Sequence, residues 1–285
     1  MIKRILMLAL ALSIFSTITV SAEYNKYNEE PYINIYNNTL GDICEITGIS
    51  LEEFLKENGF PEDMTEDTNE MVAFYMLTIE NYAKLSDLPL DELILEAETL
   101  YGKKINKDTL YKDFENQLTV KDWIGDSSIE EFKRVYELGD EVKEDTLYKD
   151  INIQISRNAL ANSGLLKYFT PDSILVMLKG KYLDFDVAPL IINDRTMVPM
   201  RVIFESLGAT VHWDDDAKTV YANKDDISIA LKIGASELFK NGESKPVDSP
   251  AIIINDRTLV PLRAIAEALD VQVGYVEDTK TVVIH

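Results

Sequence analysis

The chain has 285 residues, of which 50 are acidic and 28 basic, and its formal net charge at pH 7 is −22. A surface this negative repels nucleic acid and anionic lipid, so neither is an expected partner. The single cysteine, Cys44, excludes an internal disulfide, and the two histidines, His212 and His285, are too few for a copper site built from three imidazoles.

Residues 1–22 predict a secretory signal peptide. Lys3 and Arg4 precede an apolar run, Ile5–Ile18, and small residues follow at Val20–Ala22, where a signal peptidase would cleave. The apolar run is too short to span a membrane, although an uncleaved N-terminal anchor is the alternative. We therefore expect a secreted bacterial protein, extracellular or at the cell surface, with no membrane span after signal cleavage.

Region 23–165 is strongly acidic and predicts short helices in pairs. In Thr39–Gly59, an apolar stripe ends at Gly48, a residue that suits the end of a helix. Ser50 and Glu53 then have the spacing of a capping box that begins a second helix.

The same scheme returns twice along the chain, at Thr78–Ala97 and at Thr119–Leu138. The hexapeptide DTLYKD also occurs twice, beginning at Asp108 and at Asp145. A repeat of about 40 residues predicts a tandem array in which each helix pair buries its apolar face on a neighbour.

The segment Thr39–Gly59 raises two binding hypotheses. Its pattern is close to a DNA-binding helix-turn-helix, but the second helix carries three glutamates and no arginine, so phosphates would be repelled. The segment is also weakly similar to the helix pairs of LysM modules, which bind peptidoglycan and add two flanking strands. Residues 31–36 could supply one such strand, whereas the residues that follow the second helix do not supply the other.

Region 173–285 contains one pattern twice, in copies at about 174–223 and 236–285. The phrase NDRTMVPMR at Asn193–Arg201 returns as NDRTLVPLR at Asn255–Arg263, which is 62 residues later. Each copy predicts strands, a strand that turns a corner into an amphipathic helix, and a final hairpin; ISIALKI, starting at residue 227, predicts a linking strand. The predicted fold class is α+β: all-α helix-pair repeats followed by two tandem small units, each an antiparallel sheet plus a helix.

This duplicated pattern resembles the copper amine oxidase N-terminal domain-like family, whose members carry nGRTLVPLR, a helix ending in ALG and a final hairpin, usually in tandem. The resemblance covers roughly 174–285. Asp194 and Asp256 stand where the family commonly has Gly, and Asp270 replaces the Gly at the end of the helix. The resemblance implies a non-catalytic accessory or adhesion-type module that holds no copper, and it names no ligand.

No pattern in the chain indicates an enzyme. The motifs GxSxG and HExxH and a Gly-rich phosphate loop are absent from the sequence. Asp214–Asp216 lacks the spacing of a calcium loop and predicts a hairpin turn. The sequence therefore predicts no catalytic, cofactor-binding or metal-binding residues and no cofactor.

The repeated phrase suggests a structural role for its arginines. Arg201 and Arg263 fall in the first turn of the predicted helices, where the helix dipole disfavours a cation, so each needs an acceptor. Asp194 and Asp256, or a loop carbonyl, are the candidates, and we expect a clamp that locks strand to helix. A contact of these arginines with an anion or a glycan is the alternative.

Together these features predict a secreted, non-catalytic binding or scaffold protein. Its partner is expected to be a cell-envelope polymer or an extracellular protein. A peptidoglycan- or carbohydrate-binding module, and an accessory protein for a separate secreted enzyme, are the alternatives.

Overall fold

The computed structural model describes residues 38–285, which divide into two compact units between Asn162 and Ser163. We call the described part of the first the helical unit and the second the sheet unit. The predicted signal peptide and residues 31–36 lie outside the described residues. Every helix between residues 38 and 285 is too short or too polar to cross a bilayer.

The helical unit is built from pairs of short helices. The pairs are α1 (Leu40–Thr47) with α2 (Leu51–Asn58), α4 (Ile79–Leu85) with α5 (Leu90–Tyr101), and α7 (Val120–Ile124) with α8 (Ile129–Tyr136). Between and after them lie α3 (Glu70–Tyr75), α6 (Tyr111–Glu115), a 3-10 turn (Tyr148–Asp150) and α9 (Asn152–Ser163).

A threonine begins each pair in the same way. The side chains of Thr39, Thr78 and Thr119 each accept a hydrogen bond from the backbone N–H three residues ahead, which satisfies one of the free donors at a helix start. Gly48 ends α1 at φ 70°, a left-handed conformation that glycine adopts without strain.

The segment that follows each helix pair also hydrogen-bonds to the start of that pair. The N–H groups of Leu40, Ile79 and Val120 donate to the carbonyls of Thr68, Thr109 and Thr146, at 2.9, 2.8 and 2.8 Å. Single antiparallel bridges stand beside these bonds, at Thr39 with Asn69, Thr78 with Leu110 and Thr119 with Leu147. The repeat in the sequence is therefore a repeat of backbone hydrogen bonding.

The core of the helical unit runs from one repeat into the next. A single cluster includes Leu40 and Phe54 of the first repeat, Ile79 and Leu93 of the second and Phe114 of α6, all buried. Cys44 is buried in the same cluster. Apolar faces of the first two helix pairs are thus covered by each other, whereas the third pair packs around a cluster of its own that includes Val120 and Ile155.

The sheet unit has three sheets and two helices, so the α+β prediction is confirmed. Its first strands are β1 (Leu175–Leu178), β2 (Lys181–Tyr182), β3 (Leu190–Ile192), β4 (Arg195–Pro199), β5 (Thr210–Asp214), β6 (Thr219–Lys224) and β7 (Ile227–Lys232). The others are β8 (Glu237–Lys240), β9 (Glu243–Pro246), β10 (Ile252–Ile254), β11 (Arg257–Pro261), β12 (Val273–Val276) and β13 (Thr281–Ile284). The helices are α10 (Met200–Ser206) and α11 (Leu262–Ala268).

The two sequence copies interlock. In the sheet β10-β11-β4-β3, Val198 of the first copy pairs with Val260 of the second, which is the equivalent residue 62 positions on. In the sheet β12-β13-β1-β2, the first strand of copy one lies parallel to the last strand of copy two. The sheet β5-β6-β7-β8-β9 joins the last hairpin of copy one to the first hairpin of copy two through the linking strand β7.

One core serves both copies. Ile203 and Phe204 of α10 and Ile265 of α11 have no exposed surface, and all three belong to one apolar cluster with Val198 and Val260. Because strands and helices of both copies contribute to this cluster, neither copy has a complete core of its own.

Candidate binding face

The repeated phrase makes a hairpin turn in each copy. Asn193 and Asp194 connect β3 to β4 with φ values of 49° and 58°, and Asn255 and Asp256 repeat the turn with 49° and 59°. A two-residue loop with both residues left-handed matches the right-handed twist of the strands, and Asn and Asp tolerate this conformation better than other side chains do.

The arginine after each turn joins one copy to the other. Nε of Arg195 donates to Oδ2 of Asp248 at 2.9 Å, and Arg257 makes the equivalent bond to Asp186. Each arginine also donates to the carbonyl of the preceding aspartate at 3.1 Å, at Asp194 in the first copy. These reciprocal ion pairs are partly exposed links between the copies.

The predicted clamp between Arg201 or Arg263 and the turn aspartates is wrong. Both arginines are exposed, and within residues 38–285 neither makes a hydrogen bond or an ion pair. The reason is distance along the strand: five residues of β4, about 3.3 Å each, separate Asp194 from the start of α10. Arg201 also points away from the buried face of its helix, which Ile203 helps to form.

The ion pairs between the copies allow a direct test. Replacing Asp186 and Asp248 together by asparagine is expected to lower the free energy of unfolding of the sheet unit by about 1 kcal/mol, because exposed ion pairs contribute little. At about 1 M salt, where charges are screened beyond about 3 Å, the loss should shrink. Urea unfolding followed by Trp213 fluorescence in a Trp123→Phe background measures it. The control, Arg201→Ala with Arg263→Ala, should change the midpoint less, and a larger effect would contradict the assignment.

The outer face of the β5–β9 sheet carries a row of side chains that continues from strand to strand. Backbone pairing aligns His212, Tyr221, Ala230, Phe239 and Ser244 across the five strands. We call this line the aromatic row. Tyr221 and Phe239 are 39% and 42% exposed, which is high for large apolar side chains on a sheet.

Two aromatic rings thus flank a small residue. Neighbouring strands lie about 4.8 Å apart, so the backbones of Tyr221 and Phe239 are about 10 Å apart with Ala230 between them. Tyr221 comes from the first copy, Ala230 from the linking strand and Phe239 from the second copy. The row is therefore assembled where the copies meet.

Polar groups surround the rings. Asn223 and Ser228 pair across β6 and β7 on the same face, and Oδ1 of Asn241 accepts a hydrogen bond from the Ser228 N–H at 2.7 Å. At the other end, the Ser244 hydroxyl donates to the Glu237 carboxylate. The face therefore offers aromatic surface beside hydroxyl, amide and carboxylate groups.

The duplicate of this face is closed. The residues equivalent to Tyr221 and Phe239 are Val283 and Met177 in the other end sheet, and they are 0% and 3% exposed. Of the two related faces, the one on β5–β9 is open and carries the exposed rings. The duplication therefore does not produce two equal sites.

The described residues offer no group of three or more His, Cys, Asp or Glu side chains placed to hold a metal ion. Asp214–Asp216 forms the turn between β5 and β6: Oδ1 of Asp214 accepts from the Ala217 N–H at 2.9 Å, and Asp215 pairs with Lys218 at 2.9 Å. The carboxylates of Asp214 and Asp215 are thus used within the turn.

The aromatic row was not predicted. Strand alternation places Tyr221 and Phe239 on outward positions of their own strands. Their common row depends on the register of β7 between them, which the sequence pattern does not give.

Residues 177–284 match the family model described as copper amine oxidase N-terminal domain. The resemblance shown by the duplicated phrase is thereby confirmed for this half of the chain. Such a domain is a non-catalytic accessory type. A curated relative from Brevibacillus choshinensis, named "Protease inhibitor", is 31% identical over 87 residues, or 30% of this chain. The match spans 27% of that relative.

Proposed function

We propose that this chain is an exported, non-catalytic binding protein whose aromatic row holds a glycan of the bacterial cell envelope. The observation that carries the proposal is the exposed Tyr221–Ala230–Phe239 line on a face whose duplicate is closed. The signal peptide predicted from the sequence and the accessory type of the matched domain support an envelope role.

The chemistry of the face favours a sugar over a fully apolar partner. An aromatic ring offers a flat surface on which the C–H face of a sugar ring can stack, and its burial contributes about 1.5–3 kcal/mol. The hydroxyl and amide groups of Ser228 and Asn223 can exchange hydrogen bonds with sugar hydroxyls. A row crossing five strands is also long enough for several sugar units, since it extends about 20 Å.

Binding to purified bacterial cell walls tests the proposal. The protein without its predicted signal peptide is expected to co-sediment with the walls at both low and high salt. Replacing Tyr221 and Phe239 together by alanine should weaken the binding about tenfold or more, because two stacking surfaces are lost.

The chain provides a matched control in Tyr275. This tyrosine is 43% exposed, like the two ring residues, but it lies on β12 in the other end sheet. Tyr275→Ala should bind walls as the unaltered protein does. Equal loss in both variants, or no sedimentation of the unaltered protein, would contradict glycan binding through this face.

The named relative supports a second candidate, an inhibitor of a secreted protease. The chain spans about a quarter of that relative, so this activity is a separate proposal. Incubation with a panel of secreted proteases tests it. Inhibition that survives the Tyr221 and Phe239 replacements would assign it to another surface.

A further inference from the structure

The helical unit has an open groove beside α5, separate from the aromatic row. The groove measures about 350 Å³, within the range of small-ligand sites. Its apolar wall includes Leu88, Leu93, Leu95 and Leu100, and its charged residues are Glu92 and Glu96. We call it the α5 groove.

The wall of the groove is unusually exposed for a helix packed into a core. Leu95 is 58% exposed and Leu100 is 45% exposed, whereas Leu93, at the inner edge of the groove, is buried. Large aliphatic side chains on both sides of a groove favour a ligand with an apolar body.

Glu96 lines the groove with a carboxylate oxygen that has no hydrogen-bond donor. The residue is 9% exposed, and its Oε1 atom is buried without a hydrogen-bond partner. Burial raises the pKa of this carboxyl group. A buried acceptor left without a partner costs about 1–3 kcal/mol, and a ligand donor that reaches it would recover part of that cost.

The charges of the groove are all of one sign. Glu92 lies one helical turn before Glu96 on the same side of α5, and among the described residues none that lines the groove is basic. The hydroxyl of Thr99, the other polar group there, already donates to the Leu95 carbonyl at 2.7 Å. The missing complement is therefore a positively charged donor.

We propose that the α5 groove binds a primary alkylammonium group, with the alkyl chain along Leu95 and Leu100 and the ammonium on Glu96. The ammonium supplies the donors and the positive charge that the carboxylates lack, and a charge-assisted bond is the stronger kind. An alkylamine and a lysine side chain share this chemistry. The site is independent of the glycan proposed for the aromatic row.

Two probes with the same apolar chain isolate the role of charge. Titrations with n-hexylammonium and with 1-hexanol, followed by the NMR shifts of amides in α5, are expected to show about tenfold tighter binding of the ammonium. Glu96→Gln should remove this preference and leave hexanol binding unchanged. Leu95→Ser with Leu100→Ser should weaken both probes.

The control is Glu98→Gln, an exposed glutamate of α5 that does not line the groove. It should keep the preference for the ammonium, and thermal melting should show that each variant is folded. A lysine blocked at both backbone ends is then compared with a blocked norleucine. Tighter binding of the lysine would show that the groove accepts a protein side chain as well as a free amine. Equal binding of both hexyl probes, no binding of either, or a preference that survives Glu96→Gln would overturn the proposal.

Discussion

Glu115→Gln is expected to stabilise the helical unit by about 3 kcal/mol at pH 8. Glu115 ends α6 and is 4% exposed, and burial raises the pKa of its carboxyl group from 4.5 to about 7. A shift of one pKa unit corresponds to about 1.4 kcal/mol, so an ionised Glu115 carries a cost of this size in the folded state. Glutamine has the same shape and no charge to bury.

The surroundings of Glu115 explain why burial dominates. Tyr75 donates a hydrogen bond to the carboxylate, which lowers the pKa but does not offset desolvation. Burial raises the pKa values of Tyr111 and Tyr148, and the nearby charge of Glu115 raises them further. These phenols are neutral near pH 7, so none supplies a compensating positive charge.

The pH dependence follows from the direction of the shift. Between pH 4.5 and about 7, the folded protein holds a proton on Glu115 that the unfolded chain releases, so stability falls as the pH rises through this window. Above the window the cost is complete, and below pH 4.5 it is absent. The advantage of Glu115→Gln should therefore shrink to about 1 kcal/mol or less at pH 5.

Urea unfolding between pH 5 and 8 measures this difference. A Trp213→Phe background leaves Trp123 as the fluorescent reporter of the helical unit, since the chain has two tryptophans. The control is Glu52→Gln, an exposed glutamate of α2, which should follow the unaltered protein at every pH. If the free energies of unfolding of the Glu115→Gln variant and the unaltered protein changed with pH in parallel, Glu115 would not be the source of the pH dependence.

Ile203→Ala and Ile265→Ala are expected to destabilise the whole sheet unit equally. The two isoleucines are equivalent in the copies, lie in α10 and α11, and have no exposed surface in the shared core. Removing such a side chain costs about 2–5 kcal/mol, from lost burial and the cavity that remains. Because both copies share this apolar cluster, either substitution should lower the stability of both copies.

Trp213 distinguishes a shared core from two independent ones. It lies on β5 of the first copy, and a Trp123→Phe background makes it the only fluorescent tryptophan. Its urea midpoint should fall by the same amount in the Ile203 and Ile265 variants, and the transition should stay single. If Ile265→Ala left the urea midpoint of Trp213 unchanged, the copies would unfold separately.

Much of the local structure could be predicted because local signals carry it. Gly48 ends α1 and Ser50 begins α2 as their capping chemistry indicates, and the linking strand appears at β7. The duplication itself was visible as an offset of 62 residues. These features depend on side chains within a few residues of one another, and the pattern of one segment is enough to read them.

The clamp prediction for Arg201 failed because it placed partners by sequence order. The arginines of the repeated phrase that do form ion pairs are Arg195 and Arg257. Arg195 contacts Asp248 and Arg257 contacts Asp186, in each case an aspartate of the other copy. A sequence repeat shows that two segments fold alike, but it does not show that they exchange partners. That choice depends on which strand edges meet.

The sequence by itself determined the α+β class, the duplicated phrase and the helix caps. The tertiary structure alone decided three things: the pairing of Val198 with Val260, the alignment of Tyr221 with Phe239, and the burial of Glu115. The physical reason is the same in each case. Strand register and the burial of a side chain are set by segments far away in the chain, whereas caps and turns are set by their immediate neighbours.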